Sequence, residues 1–251
     1  MGTGTPVAGI RARCVRRCAP ETKPVTTDLS PIWHPSPNFG ARRDGLTPSL
    51  VVLHYTAMDS AAAALARLCD PAFEVSAHYL IGADGTLWQM VAEDQRAWHA
   101  GAGAWAGAGD VNSRSIGIEL DNRGDHPFSN PQMATLEQLL PQILQRWDIA
   151  PEGVIGHSDM APGRKIDPGP RFDWARLAAQ GLAASPRKGV NNPPPAADWP
   201  TFRALATRAG YTAAADDASL LTAVRLRHRP WAQGPLSPAD FAPLCPDHHL
   251  S

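Results

Sequence analysis

A chain of 251 residues is long enough for one large domain, or for a medium domain with a small companion, and ample for a buried core. Its 23 Lys plus Arg stand against 24 Asp plus Glu, which leaves no electrostatic case for a nucleic-acid or anionic-membrane partner, and no run approaches the roughly 18 apolar residues of a membrane span. The expected ligand is therefore small, or uncharged on average.

Near the start, Arg11, Arg13, Arg16 and Arg17 are followed by no apolar segment of signal-peptide length, so the sequence as written reads as cytoplasmic, with a periplasmic or wall-associated location as the alternative. Cys14, Cys18, Cys69 and Cys245 are too few and too scattered for a disulfide framework, and the first two lack a second ligand pair nearby. Residues 1–30 read as a disordered extension and 31–184 as the main domain. Within it, LVVLHY (50–55) is a β-rich apolar run, and the Ala-rich stretch 60–69 suits a helix. VSAHYLI and TLWQMV flank Ala83, Asp84 and Gly85, a hairpin signature. GAGAWAGAG precedes a strand and lacks a Lys-Ser/Thr ending, so it reads as a flexible loop and not a phosphate cradle. SIGIELD from Ser115 is another strand.

Met133, Leu136, Leu140, Ile143, Leu144 and Trp147 recur at helical spacing, with Pro141 expected to kink or divide that helix. A short strand ending at VIGH leads through a polar loop to a helix that Asp173 can cap and Gly181 can close. Alternating strands and helices predict an α/β fold, a central mixed sheet flanked by helices. Residues 185–200 concentrate Pro, Asn and charge without periodicity, a linker. Beyond it, FRALATRAGY, DASLLTAVRLRH and SPADFAPL predict a small three-helix domain at 201–251, its last helix opened by a Ser237/Asp240 capping box.

The segment HSDMAPGRKIDPG (157–169) carries the chemistry, because it sets a His, a Lys and an Asp in a loop after a buried strand. His157 and Asp167 suit Zn²⁺, which needs a third protein ligand and leaves its fourth position for water. His54, at the end of LVVLHY, is the natural third candidate.

LHYTA around His54, AHYLIGADG around His78, AWHAG around His99, SIGIEL around Glu119 and HSDMAPGRKIDPGP together resemble the zinc-dependent N-acetylmuramoyl-L-alanine amidases, a family that includes phage-lysozyme-type amidases and animal peptidoglycan recognition proteins. The resemblance spans about residues 49–183, with order and separations matching. It implies one zinc per chain on His54, His157 and Asp167, with Glu119 and Lys165 acting on the substrate. Glu119 would relay the proton from water to the departing nitrogen, and Lys165 would stabilise charge on the lactyl carbonyl oxygen. His78 reads as a packing or supporting residue before a fourth ligand. With Trp98, His99 and Asn112, it is also a candidate for contact with muramic acid or stem peptide, against a packing role for each.

The C-terminal helices resemble, more loosely, the peptidoglycan-binding domain appended to many such amidases. The implied partners are peptidoglycan or muropeptide fragments, met by a monomer. A chain ending near Ser185 is expected to fold, bind zinc and cleave a soluble fragment. Two rival functions stand beside the amidase. A metal-free binding module of the same fold typically lacks a zinc ligand, and a zinc peptidase cutting within the stem peptide usually carries HExxH, which is absent here.

Overall fold

The computed structural model of the chain describes residues 1–2, 29–184 and 197–245. The expectations for the N-terminal extension, for Cys14 and Cys18, and for the linker lie outside the described residues except at their margins. Among the described residues, no helix is long and apolar enough to cross a membrane.

The strands are Ile32–Trp33 (β1), Phe39–Ala41 (β2), Leu50–Tyr55 (β3), Tyr79–Ile81 (β4), Leu87–Gln89 (β5), Gln95–Ala97 (β6), Ser115–Leu120 (β7) and Val154–Gly156 (β8). The helices are Ala61–Leu68 (α1), Val111–Arg114 (α2), Asn130–Trp147 (α3), His157–Met160 (α4), Trp174–Ala179 (α5), Trp199–Ala209 (α6) and Asp217–His228 (α7). Six strands form one sheet in the order β1-β5-β4-β7-β3-β8, mixed because only the β4–β5 hairpin is antiparallel. β2 and β6 pair separately.

Side-chain alternation along β3 sends Val51 and Leu53 to one face of the sheet and Leu50, Val52 and His54 to the other. The first face is sealed by α3 and α5, through Leu136, Leu140, Ile143 and Leu177. Pro141 does not divide α3, which runs unbroken past it. The apolar stripe on both sides of Pro141 is fully buried against the sheet, and this packing outweighs one missing backbone hydrogen bond.

The second face is shared. At the β4 end, Leu65 and Leu68 of α1 pack near Leu80. At the β3–β8 end, Phe202 of α6 with Leu220 and Val224 of α7 join Val52, Ile155 and Met160 in one cluster. The C-terminal helices thus share a core with the sheet. The third expected C-terminal helix is instead two 3₁₀ turns, Pro238–Asp240 and Ala242–Leu244, opened by the Ser237/Asp240 capping box. Pro238 and Pro243 deny that segment the amide donors a longer α-helix needs.

GAGAWAGAG is an anchored loop: Trp105 is buried and paired by backbone to Ala108. The reason lies far along the chain, where Tyr211 packs edge-on against Trp105 with ring centroids 5.0 Å apart.

Candidate functional site

Three parallel strands end side by side on the shared face. The β3–β7 register sets His54 beside Glu119, and the β3–β8 register sets Leu53 beside Gly156, one residue before His157. Crevices beyond the carboxyl ends of parallel strands collect chemistry because each strand delivers one side chain and one loop to the same place. Here that crevice opens between α1 and the loop 161–167, as a cavity of about 570 Å³ lined by His54, Trp98, His99, Glu119, His157, Lys165 and Asp167.

His54 Nδ1 lies 2.9 Å from His157 Nδ1 and 2.9 Å from Asp167 Oδ2, and His157 Nδ1 lies 3.0 Å from the same oxygen. All three residues are buried, and their donor atoms form the one metal-ligand grouping found among the described residues. Each imidazole has its far nitrogen engaged. His157 Nε2 donates to the Ala100 carbonyl at 2.9 Å, leaving Nδ1 bare. His54 Nε2 lies 3.0 Å from His99 Nδ1, His99 Nε2 lies 3.1 Å from Ser115 Oγ, and Ser115 Oγ donates to the Val111 carbonyl. Because the serine proton is committed to that carbonyl, the line runs one way: Ser115 accepts from His99, and His99 accepts from His54. His54 Nδ1 is then bare as well.

Protonation agrees with this. Burial, then the neighbouring His157, lowers His54 to about 4. Burial alone would raise Asp167, but hydrogen bonds with His157 and His54 hold it well below the ordinary carboxylate range. Two imidazoles, each with Nδ1 bare, and one carboxylate are a donor set that Zn²⁺ takes.

Glu119 projects into the same cavity, and its Oε2 is buried with no hydrogen-bond partner among the described residues. Burial, and secondarily the Asp167 carboxylate, push it up to about 8, with Lys165 opposing. Lys165 is exposed at the cavity wall, its amide tied to the Ala161 carbonyl.

Trp98 and His99 line the cavity, as expected of groove residues. His78 and Asn112 do not. His78 is fully buried, Nδ1 accepting from the Gly117 amide at 2.9 Å and Nε2 lying 3.1 Å from the Gln95 carbonyl, so its polar atoms are consumed by the fold. Asn112 Oδ1 accepts from the His99 and Ala100 amides at 3.0 and 2.8 Å, shaping the chain that presents both metal-site supports. Sequence reasoning passed over Arg164, which donates to the Ala100 and Ala102 carbonyls, although it stands beside Lys165 in the recognised motif. It also missed Met58, Arg67 and Ile166 of the cavity wall; Met58 and Arg67 belong to no motif.

Residues 44–170 match the model of the N-acetylmuramoyl-L-alanine amidase family. The chain is 44% identical to the amidase AmiD of Escherichia coli K12 over 55% of its own length and 54% of AmiD's, so the match spans about half of that relative. It is 35% identical to the 1,6-anhydro-N-acetylmuramyl-L-alanine amidase AmpD of Citrobacter freundii, over 58% of this chain and 87% of AmpD. Among solved structures, AmpDh3 of Pseudomonas aeruginosa in complex with anhydromuramic pentapeptide is 31% identical and superposes over 91% of this chain and 96% of its own, with a TM-score of 0.70. By the extent of that match and the ligand geometry beneath it, this chain belongs to the N-acetylmuramoyl-L-alanine amidase family.

Proposed function

We propose that this protein is a zinc-dependent amidase that hydrolyses the bond between the lactyl group of N-acetylmuramic acid, or its 1,6-anhydro form, and L-alanine of the stem peptide. The observation that carries the reading is the convergence of His54, His157 and Asp167 on one point of a cavity that also holds an unpartnered Glu119. AmiD has been crystallised with anhydro-N-acetylmuramic acid-L-Ala-D-γ-Glu-L-Lys and AmpDh3 with anhydromuramic pentapeptide, which supports a muropeptide as the ligand here.

When bound, zinc supplies electrophilic polarisation and lowers the pKa of water toward about 7. Glu119 accepts the proton of the attacking water and returns it to the departing nitrogen, a task suited to a carboxylate that enters the cavity with one oxygen unpartnered among the described residues. The Lys165 ammonium faces the carbonyl oxygen as negative charge develops there. Trp98 offers an aromatic wall to the sugar or the peptide. Residues 201–251 are retained in the proposal as an added contact with polymeric wall, which sedimentation with sacculi tests.

The deciding assay offers the purified protein anhydro-muramyl tripeptide and isolated sacculi in parallel and scores free stem peptide by mass. Release from at least one is expected, with about one zinc per chain by metal analysis. Metal-replete protein that releases stem peptide from neither would overturn the reading.

A further inference from the structure

We propose that the C-terminal helices brace the metal site from behind, with Arg227 and Tyr211 as positioning residues for the His157 imidazole; this rests on the metal-centre reading above. His157 opens α4, a helix of only four residues. A single turn has no stability of its own, so the orientation of its first side chain must be imposed by neighbours.

The neighbour is Asp159, fully buried two residues further on. Its Oδ2 accepts from the Gly156 amide at 2.8 Å and from Arg227 Nη1 at 2.8 Å, and its Oδ1 accepts from the Tyr211 hydroxyl at 2.9 Å. Arg227 also donates to the Val154 carbonyl at 3.1 Å and lies 4.1 Å over the Trp174 ring. One guanidinium from α7 therefore ties β8, α4 and α5 together.

The other side of His157 is held from the same quarter. Its Nε2 donates to the Ala100 carbonyl, and the loop beyond Ala100 is pinned by Ala106 N to the Gly210 carbonyl and Gly107 N to Thr212 Oγ1, each at 2.9 Å. Gly210 sits at φ 116°, and a Cβ there would stand 2.5 Å from the Trp105 ring, so the close approach depends on glycine. Tyr211 then touches both clamps, the Trp105 ring and the Asp159 carboxylate. A metal tolerates ligand displacements of only about 0.2 Å, so such outer bonds bear directly on affinity.

Arg225, two residues before Arg227, is an internal control. It is buried too, but it binds Asp240 and the Gly234 and Pro235 carbonyls, all within the C-terminal segment.

The test uses the full chain carrying Arg227→Met, Arg227→Lys, Tyr211→Phe or Arg225→Met. Amide hydrogen exchange over residues 154–161 is read in zinc-free protein, and zinc affinity by competition with a chromophoric chelator. Arg227→Met and Tyr211→Phe are expected to speed that local exchange and to weaken zinc about tenfold, with Arg227→Lys recovering part of both. Arg225→Met is expected to lower the melting temperature and leave both readouts unchanged. Wild-type exchange in Arg227→Met and Tyr211→Phe, or an equal change in Arg225→Met, would overturn the brace. Faster exchange with unchanged zinc affinity would reduce the network to packing and overturn the positioning role. If Arg227→Met fails to fold, Tyr211→Phe, which deletes one hydroxyl, decides alone. A wild-type protein that takes up no zinc would refute the metal-centre reading, and the exchange data would still judge the brace.

Discussion

Glycine 117 is where the site's geometry becomes possible. A Cβ there would stand 2.5 Å from the His99 ring, so only glycine on β7 lets that ring slide in and accept the hydrogen bond from His54 Nε2. His99→Ala is expected to keep the fold but weaken zinc about tenfold, because His54 then loses the partner that fixes its tautomer; competition with a chelator measures it. Glu119→Gln keeps the shape and removes the proton carrier, so turnover is expected to fall about a hundredfold with zinc content unchanged, checked by steady-state kinetics beside metal analysis. Treatment with a strong chelator should abolish turnover, and added Zn²⁺ should restore it in the native protein. Restoration should fail in His157→Ala. His157 and Asp167 were legible as candidate ligands because their motif is local and chemically specific, whereas His54, more than a hundred residues earlier, was legible only through the family resemblance. His99 was legible only as a histidine near the groove, since nothing in AWHAG says which atom its ring meets.

At the scale of elements, the tie between the hairpin side and α3 governs the pH response of the first face. Glu93 accepts from Tyr79 Oη, from Arg146 through two nitrogens, and from Trp147 Nε1. Burial would raise its carboxyl, but the hydrogen bonds from Arg146, Trp147 and Tyr79 hold it below its ordinary 4.5. A carboxyl depressed in the folded state adds stability above its unfolded pKa and loses it as pH falls through the folded value. Glu93→Gln is therefore expected to cost about 2 kcal/mol at pH 7, and the gap from wild type should close below about pH 4.5, read from thermal melts across pH. The long strands, the hairpin and α3 could be read from their periods. Of the two outcomes expected at Pro141, a kink or a division, division does not occur, because local chemistry names the missing amide but not the sheet packing that holds the helix together on both sides.

For the whole molecule, the decisive fact is that Phe202, Leu220 and Val224 lie in one cluster with Val52, Ile155 and Met160. A chain ended at residue 184 uncovers that sheet face and removes Arg227 from Asp159. It is therefore expected to aggregate, or to melt well below the full chain and hold zinc poorly, in contrast to the self-sufficient unit that the Pro-rich segment suggested; solubility, calorimetry and metal content decide it. What the sequence by itself determined was the strand-helix alternation, which periodicity encodes within a few residues, and, through several separated motifs and the family resemblance they carry, His54, His157 and Asp167 as candidate ligands with Glu119 and Lys165 beside them. Only the tertiary structure decided that His54 stands beside Glu119, that the polar atoms of His78 and Asn112 are engaged by backbone groups, and that α6 and α7 share a core with the sheet. Strand register and the choice of which apolar face covers which are set by contacts between distant residues, and those leave no period along the chain.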